Sequence, residues 1–172
     1  MNRTEHWNHV YQTKASDDVS WFQAQPATSL RLIEACGVAR LDLLGFSPMV
    51  NSAEHLRWFE SQGGRISDDE RIFERPASRK HPGTLRFVSL DLDVIDASSA
   101  PGVSAMNPCG MSARKVEKLV YAAGCDARVA CFDIMELSPR HDHMNRTARL
   151  AAHLFLTFLR GLAERWTAGA AE

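Results

Sequence analysis

Three aspartates follow one another closely at the end of an apolar segment. In FVSLDLDVIDASSAPG, residues 87–102, large apolar residues alternate with Ser89, Asp91 and Asp93, and Asp96 follows just outside. Side chains at positions i and i+2 of a strand point to the same side, so Asp91 and Asp93 would face one way, about 7 Å apart. At an effective dielectric constant near 20, two carboxylates at that distance repel by about 2 kcal/mol. The pair therefore requires a compensating cation or a proton.

Paired carboxylates of this kind predict a metal site. Hard oxygen ligands aimed at one point suit Mn²⁺, Mg²⁺ or a pair of metal ions. The alternative is that both aspartates accept hydrogen bonds from backbone N–H groups of the following loop. The apolar strand before them and the Pro101-Gly102 loop behind them favour the metal, but the alternative stays open.

Strands and helices alternate around these residues. Apolar runs predict strands at 41–47, 85–94 and 127–137. Helical spacing and end signals predict helices at 27–37, from Asn51 or Ser52 to Gly63, at 112–124 between a Ser112 cap and a Gly124 stop, and at about 145–166. Residues 65–83 are expected to form a loop, with a weak strand at ERIFE, residues 70–74.

This alternation predicts an α/β fold with three layers, αβα, around a mainly parallel sheet. In such sheets the ligand site lies at the carboxyl ends of the strands. Asp91, Asp93, Asp96 and Glu136 all fall at those ends, so we expect them to line one site.

Composition excludes several other classes of function. The chain has 172 residues and a net charge of −1, which suits one domain and predicts no nucleic-acid or membrane partner. The four cysteines form no CxxC pair, and the polar residues 1–14 lack the apolar region of a secretory signal. Free thiols and a cytoplasmic location are therefore expected for the chain, whose cysteines are Cys36, Cys109, Cys125 and Cys131.

Three stretches resemble the ureohydrolases, the family of arginase, agmatinase and formimidoylglutamase. SLDLDVIDASSAPG resembles the signature S-x-D-x-D-x-x-D-P, with Ala97 in place of the proline. DIMELSPRHD resembles the strand end D-x-x-E-x-N-P, with Ser138 in place of the asparagine, and RTARLAAHL resembles the final helix. The loop APGVSAMNPCG is most similar to formimidoylglutamase. The resemblance covers about residues 41–165.

The resemblance implies a partial arginase-like fold and a manganese-dependent hydrolase acting on C–N bonds of small linear amidines or guanidines. It implies that Asp91 and Asp93 are ligands of a binuclear manganese centre. It also implies that Glu136 faces the amidinium or guanidinium group of the substrate, where a carboxylate can form paired hydrogen bonds with a planar cation. A capping or salt-bridged Glu136 is the alternative.

The remaining acidic and histidine residues are expected to be structural. Asp96 and Asp133 would hold loops by hydrogen bonds. In RHDH, residues 140–143, a helix cap is expected rather than a metal cluster of His141, Asp142 and His143. His55 and His153 lie on predicted helices and are expected to be surface or core residues.

Most of the family's site has no counterpart in the sequence. The family's histidine motif and its DAHxD-like run supply four of six metal ligands and the acid/base aspartate, and neither motif occurs here. No catalytic residue is therefore assigned. We expect a truncated enzyme that is weak or inactive alone, and that forms a homo-oligomer or binds a complementary half, because open sheet edges need partners.

The amino-terminal segment has a different character. Residues 1–38 resemble the lead-in of class I S-adenosylmethionine-dependent methyltransferases, so 1–40 is predicted to be a helical segment of unrelated origin and 41–172 the carboxyl-terminal half of a ureohydrolase-like domain. LDLLGFSPMV lacks a glycine-rich cofactor loop, which makes methyl transfer a remote alternative. A non-enzymatic remnant or interaction subunit with the same fold is the nearer one.

Overall fold

The computed structural model describes residues 40–46, 53–61, 63–67, 71–73 and 83–169. Its strands and helices are β1 (Asp42–Leu44), α1 (Ala53–Ser61), β2 (Arg65–Ser67), β3 (Arg86–Asp91), α2 (Ala113–Cys125), β4 (Val129–Met135) and α3 (Arg146–Gly169). Single 3₁₀ turns at Leu92–Val94 and His143–Asn145 follow β3 and precede α3. The predicted helix at 27–37 and the amino-terminal segment, apart from Arg40, lie outside the described residues.

The described strands form two parallel pairs. β1 pairs with β2, from Asp42 opposite Arg65 onward. β3 pairs with β4, and Asp91 at the end of β3 lies opposite Met135 at the end of β4. Because parallel strands run in the same direction, the carboxyl ends of β3 and β4 meet at one edge. This confirms the predicted α/β class with a parallel sheet.

One face of the β3–β4 pair is buried against α2 and α3. Leu90, Phe132 and Ile134 alternate onto this face and pack against a fully buried cluster that continues into the loop after β3. The Phe132 ring stacks on that of Phe158 of α3, with centroids 4.4 Å apart. The buried cluster consists of Leu92, Ile95, Ala100, Val103, Val116, Val120 and Leu154.

Two glycines let α2 and α3 approach closely. Ser112 caps α2 as predicted, because its side chain accepts a hydrogen bond from the Lys115 N–H. Gly124, however, does not end the helix, which continues to Cys125. A Cβ atom at Gly124 would collide with the carbonyl oxygen of Phe158, and one at Gly161 would collide with that of Tyr121. The prediction of a glycine stop was wrong because Gly124 is required by packing between helices.

The strand predicted at residues 70–74 was also wrong. The strand of this region is β2, at Arg65–Ser67, whereas residues 71–73 form a turn. The carbonyl oxygen of Ile72 accepts a hydrogen bond from the Arg86 guanidinium, and that of Phe73 accepts one from Arg128. These carbonyls therefore bind arginine side chains instead of a neighbouring strand.

No helix in the described part of the chain is long and apolar enough to cross a membrane.

Candidate metal and substrate site

The paired aspartates lie where β3 changes into a 3₁₀ turn. Asp91 is the last residue of the strand, and Asp93 is the middle residue of the turn. The Asp93 N–H donates a long hydrogen bond, 3.5 Å, to Oδ1 of Asp91. The two carboxyls thus come together through the turn, and the expectation that both belong to one straight strand was wrong.

Both carboxyls are hard to ionise in this arrangement. Although part of Asp91 is accessible to solvent, partial burial among the strand ends raises its pKa. Partial burial, followed by the charge of Asp91, raises the pKa of Asp93 to about 7. Glu136 adds a further repulsive charge to both. The predicted repulsion between neighbouring carboxylates is therefore present.

The opposite end of the strands shows how this protein compensates a structural carboxylate. Asp126 precedes β4 and forms ion pairs of 2.8 Å with Arg128 and 3.0 Å with Arg86. Burial works to raise the pKa of Asp126, but hydrogen bonds and charge from the arginines lower it overall. Among the described residues, no basic side chain forms an ion pair with Asp91 or Asp93. In contrast to Asp126, their charge is therefore not compensated by a described arginine or lysine.

Glu136 stands directly after β4 in a strained backbone conformation. Its φ is +66°, a left-handed value that is uncommon for a residue with a side chain and costs on the order of 1–3 kcal/mol. Its Oε2 accepts a hydrogen bond of 2.9 Å from the Ser104 hydroxyl. Glu136 therefore neither caps a helix nor pairs with a described basic residue, and its exposed carboxylate remains able to bind a planar cation.

Hydrogen bonds at Gly102 hold the loop that carries Ser104. The Gly102 N–H donates to the buried Thr147 hydroxyl at 2.7 Å, and the Gly102 carbonyl accepts from the Ser138 N–H at 2.8 Å. A Cβ atom at Gly102 would overlap the side chain of Asp142. Ser104 is therefore held at the carboxyl ends of the strands by α3 and by the segment after Glu136.

The predicted loop-holding role of Asp96 and the predicted helix cap in residues 140–143 are confirmed. Asp96 accepts a hydrogen bond of 2.9 Å from the Ser98 N–H. Asp142 accepts bonds of 2.8 Å from the N–H groups of Thr147 and Ala148, which caps the first turn of α3. Burial acts to raise the pKa of Asp142, but these N–H groups lower it overall.

Asp133 does not behave as predicted. Its Oδ1 is buried and accepts no hydrogen bond from any described residue. The prediction that Asp133 holds a loop by hydrogen bonds is therefore wrong for Oδ1. The side chain lies on β4, in register with Ser89 of β3, and not in a loop.

The histidines are not brought to the paired aspartates as a ligand group. His141 Nδ1 lies 2.8 Å from the Ser138 hydroxyl, and His153 pairs with Glu117 on the surface of α2 and α3. His143 is exposed in the turn before α3, and the side chain of His55 lies outside the described residues.

Two of the described residues fit a metal ion by their chemistry. Asp91 and Asp93 offer the oxygen ligands that manganese accepts, and their mutual repulsion fits a cation between them. Within residues 40–46, 53–61, 63–67, 71–73 and 83–169, no group of three or more histidine, cysteine or acidic side chains is placed to hold a metal. Asp91 and Asp93 therefore have the chemistry of metal ligands, but the described residues bring no third ligand group to them.

Comparison with known proteins identifies a family that shares these features. The family model described as "Arginase family" matches residues 52–160, which include both aspartates and Glu136. The chain belongs to the arginase family. It is 36% identical over 127 residues to the formimidoylglutamase of Halalkalibacterium halodurans, covering 69% of this chain and 40% of that protein. It is 28% identical over 137 residues to the proclavaminate amidinohydrolase of Streptomyces clavuligerus, covering 72% and 41%.

The solved structures of the family share the fold. Trypanosoma cruzi formiminoglutamase, solved in its oxidized form with Mn²⁺, superposes with a TM-score of 0.61 at 25% identity, covering 72% of this chain and 45% of that chain. The partial arginase-like fold and the similarity to formimidoylglutamases are thereby confirmed. The chain spans less than half the length of these arginase-family relatives.

Sequence reasoning missed two residues that shape the site. Ser104 holds Glu136, and Thr147 holds the loop that carries Ser104. The only feature of the sequence that could have indicated Ser104 was its short hydroxyl side chain in the loop after SLDLDVIDASSAPG. Nothing in the helical pattern of α3 distinguishes the buried Thr147.

Proposed function

We propose that this chain carries part of a manganese-dependent hydrolase that cleaves C–N bonds of small linear amidines or guanidines, with a formimidoylglutamate-like compound as substrate. The observation that carries the proposal is the meeting of Asp91, Asp93 and Glu136 at the carboxyl ends of adjacent parallel strands, without a described basic partner. Similarity to a formimidoylglutamase and to an amidinohydrolase supports the substrate class.

Each residue has a separate role in this proposal. Asp91 and Asp93 provide two metal ligands, and bound manganese would lower the pKa of a coordinated water and stabilise negative charge that develops during hydrolysis. Glu136 binds the planar cation of the substrate, and Ser104 orients the Glu136 carboxylate. No described residue acts as an acid or base in this scheme, so the chain alone is weak or inactive.

The free thiols of Cys109, Cys125 and Cys131 support a reducing, cytoplasmic location.

Two binding experiments separate these roles. Electron paramagnetic resonance should show the signal of free Mn²⁺ decreasing when the chain is added, but not when Asp93→Asn is added. Saturation-transfer NMR should detect agmatine or formimidoylglutamate on the original chain, and Glu136→Gln should lose that signal while still binding Mn²⁺. Manganese binding that is unchanged in Asp93→Asn would overturn the proposed ligand role.

The proposed incompleteness of the site has a kinetic consequence. With millimolar Mn²⁺ and formimidoylglutamate, agmatine, guanidino acids or arginine, turnover by the chain alone should stay below the range of ordinary enzymes, about 1–1000 s⁻¹. Release of formamide from formimidoylglutamate, or of urea from the guanidino compounds, within that range would show that the described residues are a sufficient site.

A further inference from the structure

A cleft lies at the amino ends of β3 and β4, at the opposite end of these strands from Asp91 and Asp93. Its volume is about 450 Å³, and pockets for small molecules typically measure about 300–1000 Å³. Asp126 lines the cleft and pairs with Arg86, the first residue of β3, and this strand extends about 17 Å from there to Asp91. We name it the α2 cleft; the residues that line it are Phe73, Lys118, Tyr121, Ala122, Cys125 and Asp126.

Asp126 offers no uncompensated negative charge to a ligand. Its carboxylate forms ion pairs of 3.0 Å with Arg86 and 2.8 Å with Arg128, and its side chain is almost fully buried. Its carbonyl oxygen accepts a hydrogen bond of 2.7 Å from the Arg165 guanidinium. A cationic ligand in the α2 cleft would therefore have to compete with arginines that already hold this residue.

Tyr121 contributes apolar surface to the cleft, because its polar group is already bound. The Tyr121 hydroxyl donates a hydrogen bond to Glu164 of α3, which raises the pKa of Tyr121 to about 12 and keeps the phenol neutral. The guanidinium of Arg160 lies over the Tyr121 ring, 4.5 Å from its centroid. Phe73 and Ala122 add further apolar atoms to the lining. The α2 cleft thus combines apolar walls with few available polar groups, as is usual for small-molecule sites.

Lys118 supplies the charge that a ligand can use. Its side chain is exposed at the cleft and forms no ion pair with any residue that the structure describes. We propose that the α2 cleft binds a small organic monocarboxylate, with its carboxylate at Lys118 and an aromatic or branched apolar body against Phe73, Tyr121 and Ala122. Because the ion pair is partly open to solvent, we expect weak binding, with a Kd of about 1 mM. The site is independent of the proposed function.

Cys125 reports on occupancy of the cleft in the unmodified chain. Cys125 lines the α2 cleft, whereas the thiols of Cys109 and Cys131 are exposed outside it. The full chain is treated with iodoacetamide in EDTA, and alkylation of each thiol is followed by peptide mass spectrometry. Phenylpropanoate at ten times its Kd should slow alkylation of Cys125 several-fold, because about nine tenths of the clefts are then occupied. Alkylation of Cys109 and Cys131 should not change.

The charge of the ligand is tested with two compounds of similar shape. Phenylpropanamide is neutral and phenylpropylammonium is cationic, and both keep the aromatic ring of phenylpropanoate. Neither can form an ion pair with Lys118, so each should protect Cys125 less than phenylpropanoate does at the same concentration.

Two pairs of variants locate the ligand, with saturation-transfer NMR of phenylpropanoate as the measurement. Lys118→Met should weaken binding about two- to fivefold, as expected for an ion pair that is partly open to solvent. Arg149→Met removes an exposed charge from the first turn of α3 and should leave binding unchanged. Ala122→Trp should fill the cleft and abolish the signal, whereas Ala152→Trp, the same exchange on the exposed side of α3, should keep it. Circular dichroism checks that each variant is folded.

Three results would overturn the proposal. The first is alkylation of Cys125 at the same rate with and without phenylpropanoate. The second is equal protection by the neutral or the cationic compound, since the charge of Lys118 would then play no part. The third is binding that a folded Ala122→Trp variant retains. If that variant does not fold, protection of Cys125 in the unmodified chain decides alone. None of these measurements involves Mn²⁺ or hydrolysis, so their failure would leave the proposed function unaffected.

Discussion

At the residue scale, the protein uses aspartates in two opposite ways. The Ser98 hydroxyl and then the Ser98 N–H lower the pKa of Asp96, and backbone N–H groups lower that of Asp142 against the effect of burial. Asp91 and Asp93 have raised pKa values because burial dominates for both, and for Asp93 the charge of Asp91 adds to it. Residue types and spacing predicted this division for all four. Residue types and spacing could not predict the unpartnered oxygen of Asp133, because hydrogen-bond partners depend on which chain segments meet in the fold.

The raised pKa of Asp93 gives a prediction for pH. Between its unfolded pKa near 3.8 and its folded pKa of about 7, the folded state binds more protons than the unfolded state. The contribution of Asp93 to the free energy of unfolding therefore falls as pH rises through this window. In EDTA, Asp93→Asn should match the original chain near pH 4 and be about 1 kcal/mol more stable at pH 7.5, after allowance for solvent screening.

Asp96→Asn is the matched control in the same loop. Hydrogen bonds from Ser98 lower the pKa of Asp96, so its charge stabilises the folded state above the unfolded pKa and this stabilisation is lost in acid. This variant should be less stable than the original chain at pH 7.5. Urea unfolding at several pH values measures both differences, and equal signs for the two variants would contradict the account.

At the element scale, the sequence predicted the principal helices and strands but not how they end or pack. Periodicity correctly gave β3, β4, α2 and α3, because each carries apolar residues at the spacing of its own geometry. The end of β3 at Asp91 and the role of Gly124 depend on neighbouring segments. Local patterns do not contain that information.

Gly124 provides a test of helix packing. Helix propensity alone predicts that Gly124→Ala stabilises α2 by about 1 kcal/mol. Because the new methyl group would collide with the Phe158 carbonyl oxygen, we expect destabilisation by about 1–3 kcal/mol instead. Denaturant unfolding measures the sign. Ala152→Gly, on the exposed side of α3, is the control for propensity and should cost about 1 kcal/mol; stabilisation by Gly124→Ala would refute the close contact.

At the scale of the whole molecule, the described residues contain more of the loops that support the site than of the site itself. The described residues include the loops and caps at the carboxyl strand ends, but no group of three or more side chains placed to hold a metal. The family resemblance predicted this division, because the missing motifs could be searched for directly in the sequence. The exposure of Phe87 and Met135 on one face of the β3–β4 pair could not be predicted, because strand pattern alone does not show which face the helices cover.

The exposed apolar side chains of Phe87 and Met135 on the β3–β4 pair should make the isolated chain associate. Exposed strands with large apolar residues pair with one another without a fixed stoichiometry, so we expect polydisperse oligomers or low solubility. Light scattering after size-exclusion chromatography measures this, and Phe87→Lys should lower the average mass. A single sharp monomer peak, with cooperative thermal unfolding, would contradict the expectation.

The central claim is that Asp91 and Asp93 form a cation site, and thermal unfolding with and without Mn²⁺ tests it most directly. For the original chain, Mn²⁺ at ten times its Kd should stabilise by about 1.4 kcal/mol, and Asp96→Asn should keep this effect. Asp93→Asn should be at least as stable as the original chain without metal and should gain nothing from Mn²⁺. If the aspartates only bind backbone N–H groups, Asp93→Asn will lose about 1–3 kcal/mol. That loss, together with indifference of both proteins to Mn²⁺, would contradict the claim.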